Sequence, residues 1–142
     1  MLHKDVLIRL CEARTLLRET SEGWRSVRQI ARETGMSLFH FIRLYKAVFG
    51  ETPKQCQLAA RLEHAKQLLM MTDVPVTDVS MDAGFASLGT FSYVFARRIG
   101  MSPTAYRGKF RSLFREPGKT PHELIPGCFS LMCGPTHEIR NF

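Results

Sequence analysis

The sequence GFASLGTFSYVFARRIGMSP, residues 84–103, repeats in altered form a stretch that lies about fifty residues earlier, GMSLFHFIRLYKAVFGETP, residues 35–53. The positions that recur at an offset of 50 are mostly apolar residues, glycines, prolines and hydroxyl side chains. Clear pairs are Ser37 with Ser87, Phe41 with Phe91, Gly50 with Gly100, and Pro53 with Pro103. Repetition of structural positions at a fixed period indicates a duplicated unit.

Each copy has the pattern of two helices joined by a tight turn. In the first copy, apolar residues at Val27, Ile30 and Ala31 predict a short helix, and Gly35 suits the left-handed conformation that ends it. A serine then provides the N-cap of the second helix. That helix has one apolar stripe in each copy, formed by Phe41, Leu44, Tyr45 and Val48, and by Phe91, Val94, Phe95 and Ile99. A helix, a glycine-containing turn and a second helix form the helix-turn-helix pattern.

The segment between the copies, residues 53–71, is rich in Ala, Leu, Gln and Lys and has no glycine. It predicts one continuous linker helix of roughly 28 Å. An opening helix with apolar residues at Leu7, Leu10, Cys11 and Leu17 is expected to pack on the first unit. The predicted fold is therefore all-α: a first helix-turn-helix subdomain in 1–52, the linker helix in 53–71, a second subdomain in 72–110, and a short irregular C-terminal tail in 111–142.

The charge balance makes a polyanion a plausible partner. The 20 Lys and Arg exceed the 13 Asp and Glu, for a formal net charge of +7. No acidic residue lies between Asp82 and Glu116, so the second copy is the more basic. The alternative is a solvated basic face without a partner.

The outward positions of the second helix of each copy are the candidates for reading bases, because that helix enters the major groove in a helix-turn-helix. Arg43 has a planar fork that matches guanine O6 and N7, and Phe39 and Ile42 suit thymine methyl groups. The alternative is that Phe39 and Ile42 are buried against the opening helix. In the second copy, Leu88, Gly89 and Tyr93 offer one hydroxyl donor and almost no forked group, so its base reading is expected to rest on apolar contact, on Thr90, Ser92 and Tyr93, and on phosphate contacts. The predicted base contacts are Leu38, Phe39, Ile42, Arg43, Leu88, Gly89, Thr90, Ser92 and Tyr93.

Phosphate contacts require cations or helix N-termini near the groove walls. The candidates are Arg28, Ser37, His40, Lys46, Ser87, Arg97, Arg98, Arg107 and Lys109. For each basic side chain, the alternative is an ordinary solvated surface charge. We expect the first copy to specify the DNA sequence and the second mainly to hold the duplex.

Residues 27–107 resemble the DNA-binding domain of AraC/XylS-type transcription regulators. The resemblance rests on IARETGMSLFHFIRLYKAVFGETP, on Arg61, Leu62, Ala65, Leu68 and Leu69 of the linker, and on GFASLGTFSYVFARRIGMSPTAYR. It implies two recognition helices in successive major grooves of double-stranded DNA, RNA polymerase as a further partner, and no cofactor. Its base-contacting positions fall on Phe39, Ile42 and Arg43, and on Leu88, Gly89, Thr90, Ser92 and Tyr93.

The sequence departs from that family in two respects. Many members have Gln or Arg where this chain has Leu88, Gly89 and Tyr93, which puts strong base reading by the second unit in question. Members also commonly carry a separate effector-sensing or dimerisation domain, whereas about 25 residues precede the first unit here and about 35 follow the second. We therefore expect a small stand-alone monomer, with a fragment of a longer protein as the alternative.

The tail has four prolines and three glycines after residue 115. Its apolar run, 125–132, is expected to dock on its own domain as a strand or extended arm, or else to contact a partner or a second copy. The spacing of His122, Cys128, Cys133 and His137 matches no common zinc motif, so we expect no metal. A redox role for Cys128 and Cys133 is the related alternative.

These observations favour a sequence-specific DNA-binding regulator of transcription over an enzyme, because no histidine has a carboxylate or nucleophile arranged for catalysis. No apolar run approaches the roughly 20 residues of a membrane span, and the N-terminus lacks a signal-peptide pattern. A cytoplasmic location is expected. The competing functions are a metal-responsive or redox-responsive sensor acting through the tail, and a helical protein-interaction adaptor using Leu88 and Tyr93.

Overall fold

The computed structural model describes residues 3–114, and within that range the chain forms seven helices and no strand. The helices are α1 (Lys4–Arg18), α2 (Val27–Glu33), α3 (Leu38–Phe49), α4 (Pro53–Met71), α5 (Val76–Asp82), α6 (Leu88–Ile99) and α7 (Pro103–Phe114). The predictions of an all-α fold with two helix-turn-helix pairs and one continuous helix over 53–71 are confirmed.

The predictions for the tail lie mostly outside the described residues. These are the extended arm at 125–132 and the four candidate ligands His122, Cys128, Cys133 and His137. The start of the predicted tail is different from the expectation, because α7 continues to Phe114 instead of becoming irregular at residue 111.

The chain divides into two compact units, and the division falls inside α4, between Leu62 and Glu63. The N-terminal unit contains α1, α2, α3 and the first half of α4. The C-terminal unit contains the second half of α4 with α5, α6 and α7. Each unit therefore holds one helix-turn-helix pair, α2 with α3 or α5 with α6.

The core of the N-terminal unit forms where α1, α2, α3 and α4 bury their apolar faces. Its buried residues are Leu10, Ala13, Leu17, Ile30, Ala31, Phe41, Tyr45 and Cys56. The rings of Tyr45 and Phe49 pack with centroids 4.6 Å apart, and those of Phe41 and Tyr45 with centroids 5.7 Å apart. The stripe predicted on α3 thus faces the core, with Leu44 and Val48 half-buried at its edges.

The opening helix packs on this core as predicted, but two of its four apolar residues do not take part. Leu10 and Leu17 are fully buried, whereas Cys11 is exposed and Leu7 is 42% exposed. Ala13 completes the buried face. Cys11 follows Leu10 directly, so its side chain is rotated by about 100° around the helix, away from that face.

Capping groups fix where α3 begins and ends. The Ser37 hydroxyl accepts a hydrogen bond from the His40 amide at 3.3 Å, and Gly50 closes the helix with a φ of 76°. A side chain larger than hydrogen is disfavoured at that positive φ. The corresponding groups of α6 are Ser87, which accepts from the Thr90 amide at 3.2 Å, and Gly100. The serine N-caps predicted from the repeat are confirmed.

The core of the C-terminal unit contains a continuous series of aromatic contacts. Ring centroids lie 5.5 Å apart for Phe91 and Phe95, 5.4 Å for Phe95 and Tyr106, and 4.4 Å for Tyr106 and Phe110. The Tyr106 hydroxyl donates to the Met70 sulfur at 3.7 Å. These contacts join α6 and α7 to the second half of α4 and hold α6 in a fixed orientation within the unit.

Tyr45 makes the stability of the N-terminal unit sensitive to alkaline pH. Burial raises the pKa of its phenol above the ordinary value, and the neighbouring Cys56 raises it further. A raised folded-state pKa stabilises the unit fully below the unfolded pKa of about 10, and this contribution is lost as the pH rises beyond it. We expect a loss of about 1.4 kcal/mol for each pH unit above about 10.

The test compares the parent with Tyr45→Phe in chemical unfolding at about pH 9 and about pH 11. Trp24, the single tryptophan of the chain, reports on the N-terminal unit by fluorescence. The phenylalanine variant should lose less stability than the parent over this interval. An equal loss in the two proteins would contradict the assigned role of Tyr45.

Candidate nucleic-acid interface

The outer face of α3 combines an exposed aromatic ring with two cations. Burial of Phe41 and Tyr45 turns Phe39, Arg43 and Lys46 away from the core, and the Phe39 side chain is 83% exposed. Phe39, Ile42, Arg43, Lys46 and Ala47 together line a shallow open depression on the surface. This combination offers apolar surface and a forked hydrogen-bond donor on neighbouring turns of one helix.

The structure corrects one of the predicted outward positions on α3. Leu38 is half-buried and packs against the core of the N-terminal unit. The reason is its spacing, because Leu38 precedes the buried Phe41 by three residues and so lies on the same side of the helix. Ile42 is also half-buried, at the border of the exposed face. The alternative in which Phe39 is buried is wrong.

The outer face of α6 has a different composition. Leu88 is 40% exposed and Tyr93 is 64% exposed, while Gly89 and Thr90 are also exposed and Ser92 is half-buried. Two side-chain hydrogen bonds lie on this surface. The Ser87 hydroxyl donates to Thr90 Oγ1 at 2.9 Å, and Arg97 Nη1 donates to Tyr93 Oη at 3.0 Å.

These two side-chain hydrogen bonds were not predicted from the sequence, although the spacing of the residues contained a signal. Ser87 and Thr90 are three residues apart, and Tyr93 and Arg97 are four apart. Side chains at these separations are neighbours on a helix surface. The pairs could therefore have been expected once residues 88–99 were read as a helix.

Most of the predicted phosphate contacts lie at the surface of their unit. The exposed residues of that set are Arg28, Ser37, His40, Lys46, Ser87, Arg97, Arg98 and Lys109. Ser37 and Ser87 use their hydroxyl oxygens as helix caps. Ion pairs with carboxylates involve other cations of residues 3–114, among them Arg25 with Glu22, Lys66 with Glu63, and Arg111 with Asp73. None of these three belongs to the predicted set.

Arg107 differs from the other predicted phosphate contacts because its guanidinium forms a hydrogen bond within the C-terminal unit. It is half-buried, and its Nε donates to the carbonyl oxygen of Leu69 at 3.3 Å. Leu69 lies in the last turn of α4, where carbonyl groups lack partners within the helix. Arg107 thus has a structural role, and it is the weakest candidate for a phosphate contact.

Two other kinds of site receive no support from the part of the chain that the structure describes. No group of three or more His, Cys, Asp or Glu side chains is arranged to hold a metal ion in residues 3–114. The helices within that range are also too short or too polar to cross a lipid bilayer.

Two capped helix-turn-helix pairs, each presenting an exposed second helix, define the class of helix-turn-helix DNA-binding proteins. Comparison with known proteins agrees: residues 30–109 match a model of the helix-turn-helix domain family. Over 95 residues, the chain is 36% identical to the MmsAB operon regulatory protein of Pseudomonas aeruginosa. That alignment covers 67% of this chain and 31% of the relative.

Solved structures give the same result. An AraC-type regulator from Chromobacterium violaceum has 28% identity and a TM-score of 0.66, covering 79% of this chain and 96% of that one. The DNA-binding domain of AdpA, solved in complex with a target DNA, has 28% identity and a TM-score of 0.64, covering 82% and 100%. The chain belongs to the AraC/XylS family of helix-turn-helix regulators. It spans about a third of the length of the curated relatives that it matches.

Proposed function

We propose that this chain is a sequence-specific regulator of transcription that binds duplex DNA by inserting α3 and α6 into successive major grooves. The observation that carries the proposal is the exposure of different side chains on two helices with the same buried face and the same caps. The AdpA domain, which resembles this chain in fold, was solved with its target DNA.

The outer face of α3 is suited to direct reading of base edges. The exposed Arg43 guanidinium matches the O6 and N7 acceptors of guanine, and Phe39 and Ile42 offer apolar contact to thymine methyl groups. Exposure of a phenylalanine ring is unfavourable in the free protein, at roughly 25 cal/mol for each Å² of apolar surface. Contact with a methyl group on the duplex would recover part of that free energy.

The exposed cations supply the part of the affinity that does not depend on sequence. Arg28, His40, Lys46, Arg97, Arg98 and Lys109 are the proposed phosphate contacts, together with the helix N-termini at Ser37 and Ser87. Neutralising phosphates releases counterions, so the logarithm of the affinity should fall linearly with the logarithm of the salt concentration.

The remaining parts of the proposal follow from the family. We propose binding rather than catalysis, a monomeric chain in the cytoplasm, and RNA polymerase as the protein partner. The sensor and adaptor functions are not favoured, because the chain belongs to a family of DNA-binding regulators.

Arg43 provides the most direct test. Replacing it with alanine should cost about 1 to 3 kcal/mol of binding free energy and relax the preference at one base pair. The measurement is a fluorescence-anisotropy titration of the full chain on a duplex selected from a random pool and on a scrambled duplex. Arg9→Ala is the matched control, because Arg9 is an exposed arginine on α1.

The control should bind both duplexes as the parent does. If Arg43→Ala kept the parent's affinity and its discrimination between the duplexes, the role of Arg43 would be wrong. If the parent itself did not distinguish the two duplexes, the proposed function would be wrong.

A further inference from the structure

Gln57 is a buried polar residue in the first half of α4. It is 6% exposed, and both ends of its side-chain amide form hydrogen bonds. Nε2 donates to the carbonyl oxygen of Arg25 at 2.5 Å, and Oε1 accepts from Arg61 Nη2 at 3.3 Å. A carbonyl only accepts and a guanidinium only donates, so the two partners fix the orientation of the amide. Burial of an amide is unfavourable without such partners.

The bond to Arg25 ties α4 to the segment that connects α1 with α2. Gln57 and Arg25 are 32 residues apart in the chain. Beside them, the Arg61 guanidinium lies over the ring of Trp24, 5.4 Å from its centroid. Trp24 and Arg25 are half-buried, whereas residues 19–23 of the same segment are exposed. Residues 24 and 25 are therefore held on α4 by a hydrogen bond and a cation–π contact.

Arg25 connects this contact to the first turn of α2. It directly precedes Ser26, the N-cap of α2, whose hydroxyl accepts from the Gln29 amide at 3.2 Å. The guanidinium of Arg25 pairs with Glu22 at 2.7 Å and with Glu33 at 3.3 Å. Because Glu33 is the last residue of α2, Arg25 is linked to both ends of that helix. A shift of the Arg25 backbone would therefore displace α2.

Arg28 is an exposed cation in that first turn. It follows the N-cap by two residues, and no carboxylate within residues 3–114 forms an ion pair with it. In a helix-turn-helix the first helix crosses the DNA backbone, which brings a side chain at this place near the phosphates. A charge-assisted hydrogen bond to a phosphate oxygen spans only about 2.7 to 2.9 Å, so it depends on the orientation of the turn that carries the donor.

We propose that Gln57 is a positioning residue for DNA binding, which holds the first turn of α2 where Arg28 reaches a phosphate. Gln57 acts through the backbone of Arg25, and Arg61 orients the Gln57 amide. The buried amide itself makes no contact with the duplex. This inference rests on the proposed function and gives α4 a part in DNA binding that neither recognition helix supplies.

A merely structural role for Gln57 leads to a different expectation. Loss of a stabilising hydrogen bond lowers the folded fraction but leaves the number of phosphates that the folded protein neutralises unchanged. That number determines the slope of the logarithm of the affinity against the logarithm of the salt concentration. The salt slope therefore distinguishes positioning of Arg28 from stabilisation of the unit.

The test uses Gln57→Met, which keeps the length of the side chain and the net charge and removes both hydrogen bonds. Binding of the full chain to its selected duplex and to a scrambled duplex should weaken about 3-fold to 10-fold, equally on both, because phosphates carry no sequence information. The salt slope should decrease by up to about 1. Gln67→Met is the matched control, because Gln67 is an exposed glutamine on the same helix. It should keep the parent's affinity and slope.

A double-mutant cycle with Arg28→Ala measures whether the two residues act together. Arg28→Ala alone should weaken binding to both duplexes about 10-fold and lower the salt slope by about 1. Adding Gln57→Met to it should cause no further loss, because no cation is then left at that place to be positioned. Losses that multiply in the double variant would show that Gln57 acts independently of Arg28, and would overturn the inference.

Trp24 and Arg61 supply a second measurement. Trp24 is the single tryptophan of the chain, so its fluorescence emission in the free protein reports whether residues 24 and 25 stay on α4. The emission should shift to longer wavelength in Gln57→Met, because the ring becomes more exposed. An unchanged emission would mean that Gln57 does not hold the segment, and would overturn the inference. Arg61→Lys keeps the charge but loses the planar fork, and it should weaken binding to both duplexes without adding to Arg28→Ala.

The remaining outcomes separate failure of this inference from failure of the proposed function. Parent affinity and parent salt slope in Gln57→Met, while the parent still prefers its selected duplex, would overturn the inference alone. Parent affinity in Arg28→Ala would do the same, since no phosphate contact would exist there. A parent that binds the two duplexes equally would overturn the sequence-specific function, and a parent that binds neither would overturn both.

Discussion

Both recognition helices owe their orientation to the burial of two aromatic rings spaced four residues apart. Phe41 and Tyr45 are fully buried in α3, and Phe91 and Phe95 are fully buried in α6. Large side chains of this kind dominate the free energy of a small core, and they can be buried in only one rotational setting of the helix. That setting determines which residues remain outside. The exposed chemistry of each unit is therefore a consequence of its core.

The same constraint explains why the repeat preserves some positions and changes others. Rings, caps and closing glycines recur because each supports the packing or the ends of a helix, as Ser37 and Ser87 do. The outward positions carry no such requirement. In α3 they hold Phe39 and Arg43, an apolar ring and a forked cation. In α6 the outward positions hold Gly89, which has no side chain, and Thr90 and Tyr93, which each carry a hydroxyl group. One scaffold thus presents two different surfaces.

Much of this arrangement could be predicted from the sequence, because helix periodicity, glycine positions and serine caps are local signals. The second helix of each copy and the continuous α4 were predictable on those grounds. Contacts between distant residues were not. The hydrogen bond from Arg107 to the Leu69 carbonyl joins residues 38 positions apart. From the sequence, Arg107 could be recognised only as a basic residue, whereas the structure gives it a structural role.

At single positions, the differences between the predicted and the observed orientation of a side chain also have specific causes. Leu38 packs against the core because it precedes the buried Phe41 by three residues and lies on the same side of α3. Cys11 is exposed because it follows the buried Leu10 directly and lies on another side of α1. A pattern of apolar residues does not show which of them are buried until larger side chains determine which face of the helix is turned to the core. The pairs Ser87 with Thr90 and Tyr93 with Arg97 are a different case, because their spacing along the chain already predicts that these side chains are neighbours on the helix surface.

The central claim is that each unit presents its own reading surface to DNA. The most direct measurement is selection of bound duplexes by the full chain from a random pool, repeated at several salt concentrations and followed by sequencing. The account predicts an asymmetric site with two preferred patches about one helical turn, roughly 10 base pairs, apart. Enrichment of a single patch, or of no sequence at all, would contradict it.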